Sequence, residues 1–212
     1  MNYKHLAIQN YKRFCAIEGS EYIASEFALA MILKLIKKYK VRSILEVGLG
    51  IGSISDTALE FAKQHHYPLQ YAGTEANDFC LDALRKNVRD YNKIELHSSI
   101  SSISDRKFDL IIVDGSDSDF EKITSFCKRD TIVFIEGDRG MQTKSILEHF
   151  PTARHVNLVT LDKNRTYAHG TSTPESYMGG GQLIFINPEA GRKLFWFKEK
   201  VATYIKRKIR GV

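Results

Sequence analysis

Apolar residues recur along the chain in two alternating patterns. Segments with the three- and four-residue spacing of an amphipathic helix alternate with short continuous apolar runs, which are typical of strands covered on both faces. The predicted helices are 22–39, 54–64, 78–91, 120–127 and 143–150, and the predicted strands are 43–47, 69–74, 94–97, 108–113 and 131–135. This alternation predicts a doubly wound α/β domain with a mostly parallel sheet.

The last third of the chain breaks the alternation. Two more strands are predicted near 155–161 and 182–187, with no clear helix between them. We expect them to form an antiparallel pair at the edge of a seven-stranded sheet that has helices on both faces. Extra helical segments are expected over 1–40 and 189–212, so that residues 1–212 form a single domain. The polar segment 162–181 is long for a loop, and such loops are usually functional or disordered.

A glycine-rich turn carries the main chemical signal. Gly48, Gly50 and Gly52 alternate between a predicted strand and a predicted helix, where glycine lets the backbone turn sharply and approach a ligand. Glu75 ends the next strand, where a carboxylate can accept hydrogen bonds from both hydroxyls of a ribose. A dinucleotide site prefers Gly-x-Gly-x-x-Gly. Glu46, two residues before the first glycine, would repel a pyrophosphate but could help to hold an ammonium group.

These residues resemble a known family. The run from Glu46 to Gly52 resembles the first motif of class I S-adenosylmethionine-dependent methyltransferases, and Glu75 is similar to their ribose-binding acid. Asp114, at the end of an apolar run and before a glycine, resembles the acid of their fourth motif. The resemblance covers about 22–187 and implies the Rossmann-like fold of that class and S-adenosylmethionine as cofactor.

The resemblance also implies roles for individual residues. The three glycines would pass under the amino-acid part of the cofactor, Glu75 would hold the ribose, and residues after the third strand would flank the adenine. The expected cofactor site comprises Glu46, Gly48, Gly50, Gly52, Glu75, Ser99 and Asp114. Within the class, the chain is most similar to the small catechol O-methyltransferase-type enzymes.

Two departures from the family pattern bear on the adenine contact and on a metal site, respectively. Ser98-Ser99-Ile100 replaces a frequent Gly-Asp-Ala, and the metal-dependent members carry Asp-Asn where this chain has Glu136 to Arg139. Asp114, Glu136 and Asp138 would still lie at the ends of adjacent strands, where three carboxylates could hold Mg²⁺. In the alternative, which the missing Asn favours, Asp114 orients the cofactor or caps a helix and the other two form ion pairs.

Methyl transfer to a hydroxyl is helped by a general base. The candidates are Asp114, Asp138 and His169, although a loop histidine is more often simply solvated. Aromatic and apolar residues of the long loop (Tyr167, Tyr177 and Met178) could form a lid over the acceptor together with His169, or they could belong to a loop without a catalytic part.

The basic charge is concentrated at the end of the chain. Residues 192–210 carry eight basic side chains and one acid, a net charge of +7, so the rest of the chain sums to −1. An apolar stripe is expected on the same segment, composed of Phe195, Trp196, Phe197, Val201, Tyr204, Ile205 and Ile209. It predicts a terminal helix docked on the sheet, or one that lies on an anionic membrane surface. Nucleic-acid binding is less favoured, because basic and aromatic residues are not interleaved over a broad surface.

Nothing in the sequence resembles a signal peptide or an apolar segment long enough to span a bilayer, and the three cysteines match no disulfide or metal pattern. We therefore expect a cytoplasmic protein, peripheral to the membrane if the terminal helix binds it. The predicted function is methylation by S-adenosylmethionine, on an oxygen of a small molecule or of a glycan or lipid precursor. The alternatives are an NAD-type oxidoreductase and a binding protein that retains the cofactor pocket without turnover.

Overall fold

The computed structural model describes residues 2–168 and 173–211. The helices are α1 (Tyr3–Cys15), α2 (Glu26–Tyr39), α3 (Ser53–Gln64), α4 (Asp78–Asn87), α5 (Gly140–His149) and α6 (Ala190–Arg210). The strands are β1 (Ser43–Val47), β2 (Gln70–Thr74), β3 (Ile94–His97), β4 (Phe108–Val113), β5 (Cys127–Glu136), β6 (Arg154–Leu158) and β7 (Gly181–Phe185). Short 3-10 turns lie at 20–22, 91–93, 100–102 and 120–126.

The strands form one sheet in the order β3-β2-β1-β4-β5-β7-β6. Strands β1 to β5 are parallel to one another, and β7 runs antiparallel to both of its neighbours. The predicted doubly wound sheet and its antiparallel edge pair are confirmed. The strand order reverses between β1 and β4, and ligands of open α/β sheets bind at the carboxyl ends of the strands at such a point.

Both faces of the sheet are covered, which explains the continuous apolar runs. In β1, Ile44 packs into a core formed with α1, α2 and α3, while Leu45 packs into a second core on the opposite face with α5. The same alternation continues in β4 with Leu110 and Ile111. Strands without a solvent-exposed face need no polar alternation, and the bounds of β1 and β4 could therefore be read from the sequence. The predicted start of β5 lies four residues after its actual start at Cys127, because the first residues of the strand are polar.

Several helix bounds differ from the predicted ones. Helix α2 begins at Glu26 because Ser25 caps it, its Oγ accepting a hydrogen bond from the N–H of Ala28 at 3.2 Å. Helix α4 ends at Asn87, not at residue 91, because Val88 is extended. The segment 120–126 is helical as predicted but forms a 3-10 turn.

A buried carboxylate fixes α1 to α3. Asp56, in the first turn of α3, is 1% exposed and accepts hydrogen bonds from Asn10, Arg13 and Arg89. The backbone N–H of Arg89 also donates to it at 2.9 Å. Removing such a buried ionic partner usually destabilises a fold strongly, because the remaining charges lose their compensation. Asp56 therefore holds the N-terminal helix over the start of α3.

Candidate functional site

A cleft of about 340 Å³ opens at the switch point, within the roughly 300–1,000 Å³ typical of small-molecule sites. It is bounded by the glycine loop, by the carboxyl ends of the strands and by the 3-10 turn before α2. The lining residues are Glu21, Tyr22, Ile23, Gly48, Gly50, Glu75, Asp114, Gly115, Glu136 and Arg139. Of the lining residues that the structure describes, four are carboxylates and one is a cation, so the cleft is acidic.

The glycine loop depends on a close approach between two backbones. Gly48 has a φ of +85°, and a Cβ atom on it would lie 2.5 Å from the Cα of Gly115, which follows β4. The N–H groups of Asp114 and Gly115 both donate to the carbonyl of Val47, at 2.9 and 2.8 Å. Only glycine allows the ends of β1 and β4 to meet in this way, and their meeting forms the floor of the cleft.

Gly52 is not among the residues that line the cleft, and its expected place under the cofactor stays a prediction. A side chain there would collide with Val88, and Gly52 has a φ of +96° as the residue before α3. The first turn of α3 is also covered, since Ser53 is 2% exposed and its Oγ accepts a hydrogen bond from the N–H of Ala24 at 3.1 Å. The start of α3 is therefore packed inside the protein and is not open to a phosphate.

Glu75 lies where a ribose acid is expected. Its Oε2 accepts a hydrogen bond from the N–H of Gly50 at 2.8 Å, and its Oε1 accepts from the N–H groups of Ala76 and Asn77, both at 2.9 Å. A carboxylate has about four lone-pair sites, so the Oε2 side can still accept from a ligand. These bonds fix the carboxylate against the glycine loop and at the edge of the cleft.

Glu46 lies inside the fold and not at the mouth of the cleft, which corrects its expected position. It is 1% exposed, and Tyr71 on β2 donates a hydrogen bond to its Oε2. Burial raises the pKa of the Glu46 carboxyl well above its ordinary value, and the charges of Asp114 and Glu75 raise it further. The hydrogen bond from Tyr71 opposes these effects but is the smaller influence.

Asp114 and Glu136 face each other across the ends of β4 and β5. Burial raises the pKa of Asp114 well above its ordinary value, and the neighbouring charge of Glu136 raises it further, while Arg139 lowers it. Arg139 donates to the backbone carbonyl of Asp114 at 2.6 Å, and its Nη2 lies 3.8 Å from Asp114 Oδ1. The Oε1 of Glu136 accepts from the hydroxyl of Ser25 at 2.9 Å. Asp114 is thus a partly buried acid in the cleft, held beside a guanidinium.

The three carboxylates considered for a metal do not converge. Asp138 is exposed and lies near Gln182, whose Nε2 is 3.5 Å from Asp138 Oδ1. Within 2–168 and 173–211, no group of three or more His, Cys, Asp or Glu side chains could hold a metal ion. The cation beside Asp114 in this structure is the side chain of Arg139.

The remaining predicted residues lie elsewhere. Ser99 follows β3 and does not line the cleft. Its carbonyl oxygen accepts a hydrogen bond from the hydroxyl of Ser102 at 2.8 Å. His169 lies outside the described residues. Of the suggested lid residues that the structure describes, Tyr167 packs near Tyr11 of α1, Tyr177 lies beside Lys163 and Arg210, and Met178 is buried; none of the three is in the lining of the cleft.

An ion pair fixes the position of the described part of the long loop. Arg165 donates to both carboxylate oxygens of Glu26, at 3.0 and 2.8 Å, and so ties the loop to the first turn of α2. Glu26 is buried, and a bidentate pair of this kind is geometrically specific. The described part of the loop therefore packs on the N-terminal helices.

Sequence reasoning missed the wall formed by the turn before α2. Tyr22 contacts the glycine loop through its carbonyl, which accepts from the N–H of Ile51 at 3.5 Å, and its ring packs near Phe79. Gly19, with a φ of +84°, lets the chain turn into this wall, because a Cβ there would strike Phe79. Gly19 was the one residue in the sequence from which the turn into this wall could have been predicted.

Comparison with solved structures places the fold. An O-methyltransferase from Bacillus cereus in complex with S-adenosylhomocysteine has a TM-score of 0.55 at 13% identity, covering 86% of this chain and 91% of its own. The S-adenosylhomocysteine-bound methyltransferase PaMTH1 from Podospora anserina has a TM-score of 0.55 at 12% identity, covering 87% and 88%. The O-methyltransferase TomG from Streptomyces achromogenes, involved in tomaymycin synthesis and solved with S-adenosylmethionine, has 0.52 at 13%, covering 89% and 91%.

No protein-family model and no curated protein matches the sequence. At these identities the structural likeness establishes the fold, which is that of the Rossmann-like methyltransferases. The resemblance seen in the sequence motifs agrees with it.

The buried carboxyl of Glu46 generates a prediction about pH. In the unfolded chain the Glu46 carboxyl has its ordinary pKa near 4.5, whereas in the folded protein its pKa is raised. As pH rises, the unfolded chain therefore loses this proton before the folded protein does. The stability contributed by the protonated form is therefore present below about pH 4.5 and is lost as pH rises toward the folded value. We expect Glu46→Gln to gain at least about 1 kcal/mol relative to the parent chain on going from about pH 5 to about pH 8. Urea unfolding at both pH values measures this.

Glu148→Gln, on the exposed surface of α5, is the matched control and should show no such gain. A Glu46→Gln variant that loses the same stability at both pH values would show that the carboxyl is not held protonated by the fold.

Proposed function

We propose that the chain is an S-adenosylmethionine-dependent methyltransferase that acts on an oxygen of a small molecule or of a glycan or lipid precursor. The observation that carries this proposal is the acidic cleft at the switch point, with the Glu75 carboxylate fixed against Gly50. The shared fold supports it, since the related structures named above were solved with S-adenosylmethionine or S-adenosylhomocysteine.

Charge distinguishes this cofactor from a dinucleotide. S-adenosylmethionine carries a sulfonium and an ammonium against one carboxylate, whereas NAD carries a negatively charged pyrophosphate. A pyrophosphate needs free N–H groups at a helix start. Here the first turn of α3 is buried and carries the acid Asp56. The four carboxylates of the cleft favour a cationic ligand.

The chain's own residues would hold and orient the cofactor. Glu75 would accept hydrogen bonds from the ribose hydroxyls, and the floor at Gly48 and Gly50 leaves room for the amino-acid part. When bound, S-adenosylmethionine supplies a methyl group that is already activated by its sulfonium. The protein then has mainly to align a nucleophile and exclude water. Tyr22 and Ile23 form the wall that would shield the reacting atoms on the side of α2.

Asp114 is the general base that the geometry favours over Asp138. It lies in the cleft, whereas Asp138 is exposed outside it. A raised pKa suits a base that works near neutral pH, because proton transfer is most effective when the pKa is close to the operating pH. Asp114 would accept the proton that an acceptor hydroxyl loses, while Arg139 holds its backbone in place and limits the rise of its pKa.

A first prediction concerns Glu75. Because hydrogen bonds to a charged group contribute about 1.5–3 kcal/mol each, Glu75→Ala should weaken binding of S-adenosylhomocysteine by at least about tenfold. Calorimetric titration measures the affinity. Asp78→Ala is the matched control, since Asp78 is an exposed acid three residues away that does not line the cleft, and it should bind as the parent does. Equal affinities for the two variants would contradict the assignment of Glu75.

A second prediction concerns Asp114. Loss of a general base costs roughly 10²–10⁴ in rate, so Asp114→Asn should lower kcat by that order and by more than it weakens binding of S-adenosylhomocysteine. Methyl transfer to a panel of phenolic and sugar hydroxyls, measured across pH, gives both the rate and its profile. In the parent chain the rate should rise with pH as the Asp114 carboxyl ionises. The rate of the variant should lack this rise. An unchanged rate and profile would remove Asp114 from catalysis and leave the cofactor site intact.

A further inference from the structure

Helix α6 has two unlike faces, and the apolar stripe expected from the sequence is divided between them. The docked face carries Phe195, which is 8% exposed and packs edge-on against Tyr39 and Phe185. On the same side, Trp196 donates through Nε1 to the carbonyl of His155 at 2.7 Å, and Thr203 is buried. Docking of the terminal helix is thus observed.

The other apolar residues of α6 face outward. They are between 43% and 63% exposed and recur at three- and four-residue spacing: Leu194, Phe197, Val201, Tyr204, Ile205 and Ile209. At 100° per residue this outer stripe lies roughly opposite Phe195 and Thr203. Six large apolar side chains exposed along one helix face mark an interaction surface.

Exposed cations border and interrupt the outer stripe. Lys193, Lys200 and Arg207 recur every seven residues and so form a column along one side of it. Lys198 and Lys208 lie within the stripe and are also exposed. No salt bridge is recorded for any of these five side chains among the described residues, whereas Arg192 pairs with Asp130 and the single acid of α6 pairs with Lys34.

We propose that the outer face of α6 binds the surface of an anionic phospholipid bilayer, with the stripe inserted among the acyl chains and the cation column on the headgroups. Long basic side chains can extend past an apolar surface to reach such headgroups, and Tyr and Phe beside Lys and Arg suit the interface. None of the described helices is long and apolar enough to cross a bilayer. The contact is therefore peripheral, and it is independent of the function proposed above.

Charge favours an anionic bilayer over a second copy of the chain as the partner of this helix face. A twofold dimer through the stripe would bring one +7 segment against another, including Lys198 and Lys208 inside the contact. An anionic bilayer neutralises the same charges. The helix runs along the β6 edge of the sheet. Near its start Arg192 donates to the carbonyl of Asp130, and at its end Arg210 donates to the carbonyl of Thr160. Its basic end thus lies at the same end of the sheet as the cleft.

Vesicle co-sedimentation of the full chain tests the proposal. The probes are vesicles of phosphatidylcholine alone and vesicles with about one third phosphatidylglycerol. Each cation near an anionic surface contributes roughly fivefold to partitioning. The triple variant Lys193→Gln, Lys200→Gln and Arg207→Gln should therefore lose at least about tenfold of its binding to the anionic vesicles. Its matched control neutralises three exposed lysines on other helices: Lys37→Gln, Lys86→Gln and Lys144→Gln.

A stripe variant separates apolar insertion from charge alone. Phe197→Ser with Val201→Ser should abolish binding, whereas Met141→Ser, at an 89% exposed apolar residue of α5, should not change it. Circular dichroism shows whether each variant retains its helices; a stripe variant that loses them is replaced by Leu194→Ser with Ile209→Ser. Equal binding to neutral and anionic vesicles, or binding insensitive to the cation column, would overturn the proposal. A dimer in sedimentation equilibrium that the stripe variant dissociates, without vesicle binding by the parent, would overturn it in favour of a second copy.

Discussion

The structure depends on one close approach of backbone to backbone, at the point where the strand order reverses. Gly48 and Gly115 meet so closely that a side chain on Gly48 would lie 2.5 Å from its neighbour's Cα atom. This contact brings the ends of β1 and β4 together and leaves a floor without side chains. The walls then come from the strand ends and from the turn at 20–22. The cleft is thus a consequence of sheet topology and of two residues without a Cβ atom.

The acids around this floor have different roles because their burial differs. Glu75 is held by three backbone N–H groups and remains at the edge, where it can accept further hydrogen bonds. Glu46 is enclosed behind it, and burial raises the pKa of its carboxyl. Asp114 lies between these extremes, partly buried and lining the cleft beside Arg139. Glu21, Glu75 and Glu136 also line the cleft and outnumber the one cation among the described lining residues, which favours a ligand with positive charge at its centre.

The sheet could be predicted from the sequence because the signals were local. The bounds of β1 and β4 follow from short apolar runs between turns, and both core faces favour the same residues. A helical segment was expected within 1–40, but the bounds of α1 were not predicted, because Asn10 occupies a position on its buried face, where it donates a hydrogen bond to Asp56 forty-six residues away. The end of α4 escaped it because Val88 keeps the helical spacing but packs instead against Gly52.

The site could be predicted only in part. The glycines and Glu75 are recognisable because the turn and the strand end fix where they lie. The burial of Glu46 could also have been predicted, since Glu46 shares the face of β1 with the buried Ile44. A charged residue beside a loop instead suggested exposure to solvent. The place of Arg139 and the exposure of Asp138 arise from tertiary contacts that no local pattern encodes. For the wall at Tyr22, Gly19 marks the turn, but the contact of this turn with the glycine loop is again tertiary.

The acidic cleft is proposed to select a cationic nucleoside cofactor over an anionic dinucleotide. Calorimetric titration of the intact chain with S-adenosylmethionine and with NAD, in one buffer, measures this selection. We expect saturable micromolar binding of S-adenosylmethionine and no detectable binding of NAD. Binding of NAD without binding of S-adenosylmethionine would contradict it and would leave the glycine loop as a structural turn.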